Sequence, residues 1–237
     1  MTAYASFAAF YDAVQGDRAD HADYARALVE RERPGARRVL ELACGTGSVL
    51  ARFLPDHEVV GVDRSREMLE IAAAKLPGVR LVREDMTCVR LGERFDAVLC
   101  LYDSANHLLR RREWRALFAT ARAHLEAGGV FVVDVNTPLR LARLAEQPPL
   151  VRWFDGHLLV LEVVARAGGV VDWKLEVFEE IGDGRYRRHS DTIPERGFPA
   201  DWIRAELEAR FRRVRVVDPQ RSRPTPRSGR LWFVAVA

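Results

Sequence analysis

Val39-Leu40-Glu41-Leu42-Ala43-Cys44-Gly45-Thr46-Gly47 decides the fold. A short apolar run of this kind reads as a strand, and the glycines directly after it let the backbone turn tightly and let a ligand come close. Ser48 to Leu54 then reads as a helix closed by Pro55, and Glu58 to Val62 as a second strand ending at Asp63. Ser65 caps a helix that runs to Leu76 and stops at Pro77-Gly78. Val79 to Val82 and Phe95 to Leu101 read as two further strands, Arg111 to Leu125 as a helix, and Val130 to Val135 as the strand after Gly128-Gly129. Strands that alternate with helices imply a parallel sheet, and near-continuous apolar strands imply that helices cover both of its faces.

On either side of this unit the pattern changes. Residues 4–31 carry apolar positions at helical spacing, interrupted by Gly16-Asp17, which predicts two short helices. After Pro138 comes a helix over 139–147, followed by four β segments. These are Val151 to Phe154, Leu158 to Ala165, Val170 to Glu180 and Tyr186 to Ile193, with turns at Gly168-Gly169 and Gly182-Asp183-Gly184. They read as an antiparallel meander with one dry and one wet face. Residues 199–210 return to helix, and 213–217 and 231–237 to strand. The chain thus divides into a helical cap (1–35), an α/β core (36–138 and 196–237) and an inserted subdomain (139–195), placed to serve as a lid or as the interface of a homodimer.

With 237 residues, 48% of them apolar and 30% charged, the chain is long enough for one α/β domain with an insertion. It carries no apolar run of the ~18 residues a membrane helix needs, and its N-terminus lacks the pattern of a secretory signal, so a cytoplasmic enzyme without membrane partners is expected. Cys44, Cys88 and Cys100 are odd in number and lack metal-site spacing, which argues against disulfides and against a bound metal. The formal charge is +3, and all but two of the 37 basic residues are arginine. Several crowd the last quarter (Arg210, Arg213, Arg215, Arg221, Arg230) with no interleaved aromatic motif, so a nucleic-acid partner is disfavoured.

In open parallel sheets, ligands bind beyond the carboxyl ends of the strands, where the strand order reverses. Asp63, at the end of the second strand, could accept hydrogen bonds from both ribose hydroxyls of a nucleotide. A dinucleotide loop wants a third glycine, but Gly45-Thr46-Gly47-Ser48-Val49-Leu50 has none there. Glu41 places an acid beside the loop, which suits a cationic ligand, such as a sulfonium with a free ammonium group, better than a diphosphate.

The residues resemble a family at this point. Glu41 to Gly47 resembles motif I of the class I S-adenosylmethionine-dependent methyltransferases. Gly61-Val62-Asp63-Arg64-Ser65 with Met68-Leu69 resembles their second motif, and Glu84-Asp85-Met86 their adenine loop. Phe95 to Leu101 and Leu125 to Val130 resemble strand four and the turn into strand five. The resemblance implies a doubly wound, seven-stranded, Rossmann-like sheet whose last strand is antiparallel, and S-adenosylmethionine as cofactor. It implies that Glu41 orients the loop and that Ala43, Gly45 and Gly47 meet the methionine moiety. Asp63, with Arg64 and Met68 of the same motif, would hold the ribose side. Asp85 would accept the adenine amino group, Met86 would pack on its ring, and Leu101 would line the sulfonium end.

Within that family the chain is similar to bacterial small-molecule methyltransferases, in particular the deoxyaminosugar N-methyltransferases. The similarity rests on Phe10-Tyr11-Asp12, Asp17-Arg18, Tyr24 and the loop Tyr102-Asp103-Ser104-Ala105-Asn106-His107-Leu108. It implies that Tyr11 reaches the active site, that Arg18 meets the cofactor carboxylate, and that His107 is the catalytic base toward an N or O nucleophile. Two other readings keep the fold: an RNA or protein methyltransferase, and a non-catalytic module that retains S-adenosylmethionine.

Overall fold

The computed structural model describes residues 6–16 and 19–237. After a 3-10 turn at Ala8–Phe10 the chain forms α1 (Tyr11–Gln15) and α2 (Ala19–Glu32). The first α/β run is β1 (Arg38–Leu42), α3 (Ser48–Phe53), β2 (Glu58–Asp63), α4 (Arg66–Lys75) and β3 (Arg80–Arg83). It continues with β4 (Phe95–Cys100), a 3-10 turn (Ser104–His107), α5 (Arg111–Ala123), β5 (Leu125–Asn136) and α6 (Pro138–Ala145). Then follow β6 (Leu150–Phe154), β7 (His157–Arg166), β8 (Val170–Glu180) and β9 (Tyr186–Arg196), and finally α7 (Ala200–Glu208), β10 (Arg213–Val217) and β11 (Arg230–Val236).

Seven strands form one sheet in the order β10-β11-β5-β4-β1-β2-β3. All its pairings are parallel except those of β11, which runs antiparallel to both β5 and β10. Both faces are dry, as the strand composition predicts. On one face Leu40, Leu42 and Val98 meet Trp114 and Phe118 of α5 and Ile203 and Leu207 of α7. On the other, Val39, Leu99 and Val132 meet Leu28 of α2 and Leu50 and Phe53 of α3. In β2 only glycine fits opposite α3, since a Cβ at Gly61 would stand 2.8 Å from each of Cys44 Sγ, Leu50 Cδ1 and Leu81 Cδ2. Ser65 caps α4 by accepting the Met68 N–H at 3.3 Å.

Strand β5 begins five residues earlier than its composition predicts, at Leu125 rather than Val130. Gly128 does keep a left-handed turn conformation (φ +73), but Ala237 bonds to both glycines, its N–H donating to the Gly129 carbonyl at 2.8 Å and its carbonyl accepting the Gly128 N–H at 3.3 Å, and so ties this segment into the sheet. The register with β4 slips between Phe95 and Ala97 to accommodate them.

The remaining four strands form a separate antiparallel sheet in the order β6-β7-β8-β9. Its inner face (Leu159, Leu175, Val177, Ile193) packs on Phe7 and Phe10, so the N-terminal segment lies between the meander and the core. Leu141 of α6 docks against Val163 and Val171 and fixes the sheet laterally. No helix among the described residues is long and apolar enough to cross a membrane.

Candidate active site at the carboxyl ends of β1, β2 and β4

The strand order reverses between β1 and β4, and a crevice opens there. It is lined by Tyr11, Ala43, Gly45, Asp63, Arg64, Met68, Glu84, Asp85, Met86, Tyr102, Ser104, His107 and Leu108. A smaller pocket beside it adds Glu41 and Leu101. The two pockets therefore gather every sequence-assigned residue except Gly47 and Arg18. Gly47 faces α4 instead: its φ is +75, and a Cβ there would meet Leu76 Cδ1 at 2.6 Å. The left-handed backbone and the packing on α4 both favour glycine at this position. Arg18 lies outside the described residues.

Asp63 organises the crevice. Its Oδ2 accepts the Gly45 N–H at 2.9 Å and its Oδ1 the Ser65 N–H at 2.8 Å. Each oxygen keeps a further lone pair, which suits a vicinal diol. Burial pushes the Asp63 carboxyl above the ordinary range, against the pull of those two N–H groups. At Asp85 both internal bonds land on Oδ1, from Thr87 N (2.7 Å) and Thr87 Oγ1 (2.6 Å), so Oδ2 retains its acceptor capacity. Glu41 is only 2% exposed. Together the acids, the apolar Met68 and Met86, and the missing third glycine fit a nucleoside that carries positive charge at its sulfur end.

Backbone strain is concentrated here. Ala43 (φ +59), Tyr102 (φ +55) and Asp103 (φ +53) are left-handed without being glycine. Each costs on the order of 1–2 kcal/mol, and such strain gathers where a site over-determines the chain. The turn made by Tyr102 and Asp103 delivers His107 to the crevice wall. His107 is half-buried, and its ring hydrogen-bonds the carbonyl of Pro194, which has no N–H to offer, so the imidazole donates. Burial, reinforced by Arg64, lowers the His107 pKa from the ordinary 6.5, while Asp103 opposes the shift.

Tyr11 is carried over the crevice by α1, and α1 is tied down next to it. Asp12 Oδ1 accepts from Thr46 Oγ1 at 2.7 Å, and Asp12 Oδ2 pairs with Lys75 Nζ at 2.7 Å. Lys75 also donates to Ser48 Oγ at 2.9 Å. Burial alone would raise the Asp12 pKa, yet Lys75, Thr46 and Ser48 hold it below the carboxylate range. The latch is therefore complete at neutral pH and opens only as pH falls through that lowered value. Lys75→Met is expected to release the cofactor about tenfold faster, as befits the loss of ~1–2 kcal/mol of charge-assisted bonding. Stopped-flow dissociation of S-adenosylhomocysteine measures this directly, and an unchanged off-rate would show that the latch has no part in retention.

A second cavity, of about 370 Å³, lies between α1, the meander and the ends of β4 and β5. It shares Tyr11 and Tyr102 with the crevice, so the two spaces meet at these rings. One wall is apolar (Val14, Leu159, Leu161, Trp173, Leu175, Ile193), and Gln15, Asp103, Asn136, Arg140, Arg152, Glu195 and Arg230 supply the polar groups, Arg152 being bonded to the Val14 carbonyl at 2.6 Å. Arg230 is fully engaged, with Asp103 Oδ1 at 2.6 Å, Asp134 Oδ2 at 2.7 Å and Asn136 Oδ1 at 3.2 Å. Glu195 is 3% exposed, and burial beside Asp103 pushes its carboxyl well up. Trp173 faces this cavity, as a substrate wall would, whereas Trp153 is 62% exposed on edge strand β6. His189 lines neither space; it bonds Glu179 at 2.8 Å and packs on Phe10 with ring centroids 5.1 Å apart.

The sequence pattern does not reveal Asp12, Lys75, Asn136, Arg140, Glu195 or Arg230. Where these residues bond, the partner is distant in sequence: Asn136 and Asn106 are 30 residues apart, and Arg230 and Asp103 are 127 apart.

A methyltransferase-domain family matches residues 39–129. The dTDP-3-amino-3,4,6-trideoxy-alpha-D-glucopyranose N,N-dimethyltransferase of Streptomyces venezuelae is 38% identical over 108 residues, 45% of this chain and 46% of that enzyme. The chain thus spans about half the length of this curated relative. Whole-chain likeness appears in the solved structures. Streptomyces venezuelae DesVI superposes with a TM-score of 0.80 at 29% identity, over 98% of this chain and 96% of that one. CalS10, an amino pentose methyltransferase from Micromonospora echinaspora solved with S-adenosylmethionine bound, gives 0.75 at 27%, over 100% and 98%.

Proposed function

We propose that the chain is a class I S-adenosylmethionine-dependent methyltransferase that methylates the amine of a small molecule, an amino sugar being the class its relatives suggest. The observation that carries this reading is the meeting of two cavities at Tyr11 and Tyr102, one equipped for a nucleoside and the other closed over by the meander. The cofactor supplies a methyl group on a positively charged sulfur. Asp63 holds its ribose, Asp85 its adenine amino group and Glu41 the loop around its methionine end. Tyr11, latched through Asp12, covers the reacting space and excludes water. The acceptor nitrogen forms the new bond to carbon as the carbon–sulfur pair stays with sulfur, and its proton passes to His107. A histidine below its ordinary pKa is unprotonated at neutral pH and ready to accept that proton.

In this reading residues 1–35 and 139–195 form the acceptor-side cap and lid on the methyltransferase core. Much of the basic charge of the last quarter is paired: Arg213 and Arg215 with Glu32, Arg210 with Glu206, Arg221 with Asp218 and Arg230 with Asp103 and Asp134. That disfavours RNA as the substrate. The reaction belongs in the cytoplasm, where S-adenosylmethionine is made. The apolar outer edge of β6, with Leu150, Val151 and Trp153 exposed, suits a homodimer, which light scattering of the Trp153→Arg variant would test. The deciding experiment incubates the chain with S-adenosylmethionine and a panel of amino sugars, free and nucleotide-linked, and follows formation of S-adenosylhomocysteine. Turnover of hydroxyl or RNA acceptors alone would overturn the amine reading.

A further inference from the structure

Resting on the reading of the second cavity as the acceptor site, we infer that Arg140 anchors an oxyanion, a carboxylate or a phosphate, carried by the same molecule that presents the amine. Arg140 stands in the first turn of α6, where the helix dipole favours acids, and α6 has no acid there. Helix stability therefore gives no reason for a cation at this position. The side chain lies along Gly229, whose added Cβ would stand 3.8 Å from Arg140 Cβ, Cδ and one terminal nitrogen, and it reaches the cavity wall. Its Nε is buried with no hydrogen-bond partner. Among the described residues no carboxylate comes within 4 Å of the guanidinium. The contrast with Arg230 is sharp: Asp103 and Asp134, the acids that could have neutralised Arg140, are bonded to Arg230 instead.

A half-buried guanidinium without a partner is costly, and burial together with nearby Arg230 pulls its pKa down. The planar fork of donors matches a carboxylate or a phosphate, which would supply the missing partner. Placement agrees with this role. Arg140 lines only the second cavity, whereas Tyr11 and Tyr102 mark its junction with the crevice. An acceptor held by its oxyanion at Arg140 would extend toward that junction and offer its amine to the methyl donor. Arg140 then selects substrates by charge and orients them.

Titration calorimetry on the full chain saturated with S-adenosylhomocysteine tests this with two probes, pyrophosphate and acetate. At least one is expected to bind the wild type, and to bind Arg140→Met at least tenfold more weakly. Arg143→Met, an exposed position on the same helix, should bind like the wild type. Pyrophosphate alone points to a phosphorylated acceptor, acetate alone to a carboxylated one, and both to an oxyanion site without preference. Unchanged S-adenosylhomocysteine affinity shows that the variant is folded, and Arg140→Gln provides the same readout should the methionine variant fail to accumulate. A wild type that binds S-adenosylhomocysteine but neither anion, or an Arg140→Met that binds them equally well, overturns the inference and leaves the methyltransferase reading intact. A wild type that binds no S-adenosylhomocysteine overturns both.

Discussion

Asp63→Ala is expected to weaken S-adenosylmethionine and S-adenosylhomocysteine by two to four orders of magnitude. The carboxylate would accept two hydroxyl groups of one ribose, and each such charge-assisted bond contributes about 1.5–3 kcal/mol. Losing both removes roughly 3–6 kcal/mol, a factor of about 10² to 10⁴ in Kd. The thermal stabilisation that ligand gives the wild type should then vanish at any practical concentration. Structure makes the same prediction from the opposite side. The folded pKa of Asp63 lies above its unfolded value, so its ionised form lowers stability at neutral pH, and the contribution becomes favourable only as pH falls below the folded value. An acid that costs the empty fold stability is retained for what it binds. Cofactor affinity should also decline on acidification, and earlier than an unperturbed aspartate would allow, because the protonated acid gives up one acceptor site. Calorimetry across acidic to neutral pH measures both effects. An Asp63→Ala protein that binds the nucleoside with wild-type affinity would remove the crevice from the mechanism.

What could be read from the sequence follows the physical range of each signal. Strand β1, the glycine turn and Asp63 are contiguous or nearly so, and each obeys a local rule: apolar run, left-handed turn, acid at a strand end. Ser65 was legible as a cap because its partner is three residues on. The start of β5 was not, because Gly128-Gly129 reads locally as a turn and is tied into the sheet only by bonds to Ala237, more than a hundred residues on. Gly47 shows the same limit within the best-read segment: its spacing belongs to the loop, but its packing against Leu76 of α4 is visible only in the fold. The polar cluster around Arg230 joins the 3-10 turn, β5, β9 and β11, and no pattern in any one of those segments announces it. Strain was equally hidden, since nothing in the side chains of Ala43, Tyr102 or Asp103 favours the left-handed region strongly enough to predict it.

Removing the imidazole should affect turnover rather than binding. His107→Ala is expected to lower kcat by about 10²- to 10⁴-fold, the usual contribution of a positioned general base, with little change in the Kd of S-adenosylhomocysteine. Two features suit the ring to the proposed role of base. The Pro194 carbonyl accepts the proton of one ring nitrogen, which favours a single tautomer of the neutral ring. Burial moves its pKa below 6.5, so the neutral ring dominates at pH 7 and activity is lost only as pH falls through that lowered value. The acid limb of kcat should therefore lie below 6.5 and disappear in the variant, whatever the acceptor. A limb that tracks the basicity of different amines would belong to the acceptor's own deprotonation instead. Should kcat survive the substitution and the limb follow the amine, His107 only shapes the crevice, and the proton leaves through solvent past Tyr11.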